Sequence, residues 1–300
     1  MLLLPVLLVI CFAPIASDSV ETEFEVREKI VYSTVADRKL LLDAWVPNAD
    51  GSHPAVLVVH GGAWRFGDRK QLRGYANSLA ERGFACFAID YRLAPNHQFP
   101  AQIEDCREAV KWIRAHAAEY RVNPDKLGAI GYSAGGHLVC LLATTGEAPS
   151  EKNGNVDTRI QAVVAGGAPT DFRRSPDNGK WARYWMGGDL TTQPDKFRDA
   201  SATAFVDKDD PPIFFFNGAA DELVPIAWSM SCHEALKANG VRTEMYTIDG
   251  AGHLQAAMNP AALEKAYTFL QIELQGESEV HAEPSSPGAQ GRAAGRQPSE

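Results

Sequence analysis

The stretch KLGAIGYSAGGHL, Lys126–Leu138, decides the fold. KLGAIGYS has the apolar character of a strand, and GGHLVCLLA that of a helix. Gly131, Ser133 and Gly135 therefore form a G-x-S-x-G pattern at a strand-to-helix junction. A sharp turn there lifts the serine hydroxyl above the sheet, and glycines two positions to either side relieve the crowding. The bare spacing arises by chance in roughly one chain in ten at this glycine content, so the surrounding strand–turn–helix pattern gives it weight. The plainer alternative is a tight turn with no chemistry attached.

Outward from this junction, strand and helix signals alternate. HPAVLVVH and FACFAIDY are near-continuous apolar runs of the kind that strands buried on both faces show. Between them, Leu72, Tyr75, Ala76, Leu79 and Ala80 fall on one helical stripe that ends at Gly83. Ile103, Cys106, Val110, Ile113 and Ala117 make a second stripe. RIQAVVAGG, PPIFFFNG and RTEMYTID read as later strands, with helices at IAWSMSCHEALKAN and NPAALEKAYTFLQIEL. EFEVREKIVYSTV and RKLLLDAWVP read as an antiparallel hairpin at the start. The fold class is α/β, a mostly parallel sheet of about eight strands with helices on both faces.

Two stretches interrupt the alternation. Residues 171–210 hold charges and the aromatics Trp181, Tyr184 and Trp185 without a strand. An insertion of this length is expected to be a small cap or pocket wall, the alternative being a loop packed by its own aromatics. Residues 276–300 are rich in Gly, Pro, Ser and Ala and are expected to be a disordered tail. The domain is expected over 18–275.

The N-terminal MLLLPVLLVICFAPIAS, residues 1–17, is an apolar run ending in small residues, as in a signal peptide, although the usual positive start is missing. It is short for a span of about 20 residues. The expected location is secreted or periplasmic, with no stable membrane insertion once the leader is removed; an anchor is the alternative. The 300 residues are 45% hydrophobic and 22% charged, with net charge −9. That composition suits a sizeable core, and an acidic surface without a basic run disfavours nucleic acid as a partner. Cys86, Cys106, Cys140 and Cys232 are scattered, without ligand spacing, so no metal site is expected.

A nucleophilic serine needs a base, and the base needs a carboxylate to orient it. Serine turns of this type draw an acid and then a histidine from loops after later strands. Asp221 follows FFFNG and His253 follows YTID, giving the chain order Ser133, Asp221, His253. Asp171, Glu222 and Asp249 are rival carboxylates. His60 is the other histidine in a post-strand loop, but it precedes the serine, and His137 suits a core or capping role.

Attack by Ser133 would place negative charge on a carbonyl oxygen, which needs preorganised N–H donors. One is the N–H of Ala134, after the nucleophile; the others belong to the loop after the third strand, where HGGAW (60–64) lies. Two adjacent glycines let an acyl oxygen reach bare amides. His60 would brace that loop and Trp64 would wall the site, with Trp181 and Trp185 as further substrate-binding candidates.

HGGAW, GYSAGGH, GAADELVP and GAGH together resemble the hormone-sensitive-lipase-like and acetyl-xylan/feruloyl-esterase-like (BD-FAE-like) branch of the α/β-hydrolases, over roughly Val35–Leu274. The resemblance implies oxyanion donors at Gly62 and Ala63 beside Ala134, where relatives often carry a third glycine in place of Ala63. It implies ester hydrolysis without metal or organic cofactor, on a small-molecule or carbohydrate ester such as an acetyl or feruloyl polysaccharide. An arylformamidase of the kynurenine formamidase type is an alternative, since those enzymes share an HGG-x-W loop. A catalytically silent fold used for binding is the alternative of another class.

Overall fold

The computed structural model describes residues 23–151, 156–173 and 181–276. The leader at 1–17 and residues 277–300 of the tail lie outside the described residues.

Among the described residues, eight strands form one sheet: β1 (Phe24–Val35), β2 (Arg38–Pro47), β3 (His53–Val59), β4 (Ala85–Ile89), β5 (Val122–Tyr132), β6 (Ala162–Gly166), β7 (Ile213–Gly218) and β8 (Thr243–Ile248). Their spatial order is β1-β2-β4-β3-β5-β6-β7-β8. β2 runs antiparallel to both β1 and β4, and every pair from β4 to β8 is parallel. The hairpin read from the sequence is thus the antiparallel edge of a mostly parallel sheet.

Period-two alternation sends the side chains of the inner strands into two separate apolar layers. Val56 and Val58 of β3 enter the layer covered by α1 (Arg73–Ala80) and α8 (Pro260–Leu274). Ala55, Leu57 and Val59 enter the other, with α2 (Ala101–Ala115), α3 (Ala134–Thr144) and α6 (Ala227–Ala238). All seven residues of β3 are buried, which accounts for its continuous apolar run.

Within 171–210 the chain forms the short helices α4 (Trp181–Met186) and α5 (Pro194–Asp199) and a 3-10 turn at Ala202–Ala204. Trp185 and Phe197 from this segment are fully buried in the α2/α3 layer. α7 (His253–Ala257) precedes α8. Cys86, Cys106, Cys140 and Cys232 are buried free thiols.

Candidate active site

Ser133 follows β5 directly, Asp221 lies just past β7, and His253 lies just past β8. The HGGAW loop leaves β3 beside them. All four come from the C-terminal ends of parallel strands, where open α/β sheets keep their sites.

Ser133 has φ 57° and ψ −120°, a backbone conformation that costs a non-glycine residue of order 1–3 kcal/mol. The flanking glycines make the turn possible by close approach. A Cβ on Gly131 would sit 2.4 Å from the backbone of Gly135, and one on Gly135 would sit 2.0 Å from the carbonyl oxygen of Val59. The start of α3 therefore rests directly on the ends of β3 and β5.

His253 Nδ1 lies 2.6 Å from Asp221 Oδ2, with the Asp221 side chain fully buried. The other carboxylate oxygen, Oδ1, accepts from the N–H groups of Leu223 and Val224, at 3.0 and 2.8 Å. Those two bonds aim Oδ2 at the imidazole, and a carboxylate at Nδ1 leaves Nε2 free to take a proton. The Tyr132 hydroxyl donates to the carbonyl of His253, tying the histidine back to the strand that carries Ser133. Ser133 Oγ has no hydrogen-bond partner among the described residues, so hydroxyl and imidazole are not yet engaged; such contacts often tighten only with substrate bound. Of the rival carboxylates, Asp171 pairs with Arg173 at 2.7 Å, while Glu222 and Asp249 are exposed.

Gly62, Ala63 and Trp64 have successive positive φ values of 103°, 52° and 57°. Among the described residues, the N–H groups of Gly62, Ala63 and Ala134 donate to no carbonyl or side chain. All three residues line the same cavity as Ser133, and free amides are what an oxyanion would require there. His60 Nδ1 donates to the carbonyl of Gly61 at 2.7 Å and its ring stacks on Tyr91, so it braces the loop from behind. Burial lowers its pKa.

Several long-range supports of this loop carry no local sequence signal. The Tyr184 hydroxyl donates to the carbonyl of Ala63 at 2.8 Å, joining α4 to the loop. Arg69, just beyond HGGAW, bonds the carboxylates of Asp43 and Asp90 at 2.7 and 2.9 Å. Its partners come from β2 and the end of β4, and nothing in the spacing of the three residues foretells the pairing.

His137 is fully buried. Its Nδ1 accepts from Trp64 Nε1 at 3.1 Å and its Nε2 donates to the carbonyl of Ala200 at 2.7 Å. A neutral Nε2–H tautomer satisfies both bonds, and burial pushes its pKa down to about 4. Among the described residues, no cluster of three or more His, Cys, Asp and Glu could hold a metal ion.

Ser133, His253, Gly62, Ala63 and Ala134 all line one cavity of about 1010 Å³, together with Trp64 and Trp185. Its lining is mainly apolar. The expectation for Trp181 concerns a side chain outside the described ones.

Strand order and the serine turn after β5 are those of the α/β-hydrolase fold. A truncated carbohydrate esterase from gut microbiota has the same fold, with TM-score 0.76 and 23% identity over 85% of this chain and 98% of that one. Within that class, this chain belongs to the BD-FAE family, whose pattern matches residues 42–236. It is similar to esterase LipC of Mycobacterium tuberculosis, 32% identical over 241 residues, covering 76% of this chain and 59% of LipC. It thus spans less than two thirds of that relative. Esterase 2 of Thermogutta terrifontis, solved with butyrate bound, superposes with TM-score 0.71 and 27% identity over 85% of this chain and 95% of its own.

Proposed function

We propose that this chain is a serine carboxylesterase that transfers short acyl groups to water through an ester on Ser133. The observation that carries the reading is the Asp221–His253 bond sharing a cavity with a serine on a strained turn and three unpaired amides. The esterases to which the chain is similar support the same chemistry.

In the first half-reaction His253 Nε2 takes the Ser133 proton as Oγ attacks the carbonyl carbon. The N–H groups of Gly62, Ala63 and Ala134 receive the oxyanion. His253 then gives the proton to the departing alcohol, leaving an acyl-serine. Water enters, loses its proton to the same nitrogen, and the acid leaves as Ser133 recovers its hydroxyl. Asp221 keeps the imidazole oriented throughout.

The alcohol oxygen must lie within reach of His253, so the acyl group falls on the opposite side, toward Trp64, Phe172 and Trp185. Trp64 and Trp185 stack at 3.8 Å, and Phe172 packs edge-on against both. That packed corner suits a small acyl group. Polysaccharide acetate remains a substrate to test, with family resemblance as its support. The apolar leader supports export, which N-terminal sequencing of protein recovered from outside the producing cell would test.

Hydrolysis of p-nitrophenyl acetate, butyrate and octanoate tests the central reading. The wild type is expected to prefer the short chains, and Ser133→Ala to lose turnover on all of them. Equal rates for wild type and Ser133→Ala would overturn it.

A further inference from the structure

The cavity is larger than a small acyl group requires. Its volume of about 1010 Å³ lies at the upper end of ligand pockets. From Ser133 and His253 its lining extends to α1 on one side and to α7 and α8 on the other, the two walls being joined by the Tyr75 hydroxyl, which donates to the carbonyl of Ala257. Gly74, Tyr75 and Ser78 line it from α1, and Ala257, Met258 and Leu263 line it from the opposite wall.

Gly74 is informative because nothing packs there. A Cβ built on it meets no atom within 4 Å. Gly74 stands in the first turn of α1, where neither a positive φ nor a close backbone approach demands glycine. Its effect is to keep the α1 wall low where the wall faces the cavity.

The rim carries apolar side chains that water would not favour. Leu254 and Met258 are each 78% exposed, and Phe66 and Leu223 are 63% and 49% exposed. All four line the same cavity. Exposed apolar groups gathered around one opening mark a surface that an apolar ligand covers. At the far end Arg82 bonds Glu264 at 2.8 Å and lies over the Tyr267 ring, so the groove ends in a paired charge.

We infer that the groove between α1 and α7–α8 holds the leaving alcohol of the substrate, and that this alcohol is an apolar chain of several carbons. The inference presupposes the serine-esterase chemistry proposed above. It places the alcohol on this side because His253, the proton donor to the leaving oxygen, opens α7, and Leu254, Ala257 and Met258 continue from it along the wall. The reaction would release a short carboxylic acid and a free apolar alcohol, with water as the only co-substrate.

The test is acid release, followed by pH-stat below the micelle concentration, from ethyl, butyl and hexyl acetate and from ethyl hexanoate. Wild type is expected to show kcat/KM rising at least tenfold from ethyl to hexyl acetate, and to prefer hexyl acetate to ethyl hexanoate. Gly74→Phe, which fills the groove, and Met258→Asp, on the exposed rim where folding is not at stake, are each expected to cut the hexyl-to-ethyl ratio at least fivefold. A flat alcohol series, a preference for ethyl hexanoate, or an unchanged ratio in both variants would overturn the alcohol groove while leaving the serine esterase standing. No hydrolysis of any ester, or full activity in Ser133→Ala, would overturn the chemistry and the groove with it.

Discussion

Trp64 of the HGGAW loop lies flat on Trp185 of α4, ring centroids 3.8 Å apart and planes within 3°. One ring belongs to the candidate oxyanion loop and the other to the segment inserted before β7. The insertion is therefore part of the mould in which the loop sets. Its Tyr184 adds a hydrogen bond to Ala63 one residue before the stacked Trp64.

Trp185→Ala should expose this dependence. Removing a fully buried tryptophan is expected to cost about 3–5 kcal/mol of stability. Urea unfolding gives that loss directly. With the loop no longer braced, kcat should fall even under conditions where the variant stays folded.

Ala63→Gly makes the opposite change. Ala63 holds φ 52°, a left-handed conformation that costs an L-residue about 1–2 kcal/mol. Glycine relieves that strain but loses about 0.5–1 kcal/mol through unfolded-chain entropy. The expected net effect on stability, read from urea unfolding, is neutral to stabilising, by up to about 1.5 kcal/mol. The candidate oxyanion amide is retained, so kcat on an acetyl ester should stay within a few-fold of wild type.

Acid should weaken the fold through His137. Its pKa is about 4 in the folded protein against an ordinary 6.5. Between those values the unfolded chain binds the proton and the folded one does not, so this contribution is present above pH 6.5 and is lost as pH falls toward 4. The full difference is about 3 kcal/mol at 1.36 kcal/mol per pH unit. Protonation would also set an Nδ1–H against the Trp64 Nε1–H that now donates to it. Urea midpoints measured from pH 7 to 4 should fall for wild type, and less steeply for His137→Gln.

Asp221→Asn keeps the shape of the side chain and removes its charge. The amide can present an N–H to His253 Nδ1, favouring the tautomer with its proton on Nε2, which cannot act as the base. A fall in kcat of about 10⁴-fold is expected with little change in thermal midpoint. Steady-state kinetics beside a melting curve separates the two.

Much of this site was legible because its logic is local. Gly131, Ser133 and Gly135 mark a junction whose crowding the structure shows directly. The continuous apolar run of β3 follows from burial on both faces, and Asp221 and His253 stand in loops that short strands announce. The supports of the HGGAW loop are different in kind. Tyr184 meets Ala63 across 121 residues, and Arg69 meets Asp43 across 26. Such pairings depend on how layers stack, and neither periodicity nor spacing encodes them. Trp64 lines the cavity, but its stack on Trp185 could be read only from the tertiary structure. The groove along α1 was also hidden, since a lone glycine such as Gly74 reads only as a weak point in a helical stripe.

The most direct measurement is rapid acid quench of the protein with p-nitrophenyl acetate, followed by peptide mass mapping. The account predicts an acetyl group on the peptide containing Ser133, formed within the first turnover and absent from Ser133→Ala. Steady ester hydrolysis with no acyl group trapped on Ser133, and with Ser133→Ala as active as wild type, would contradict it.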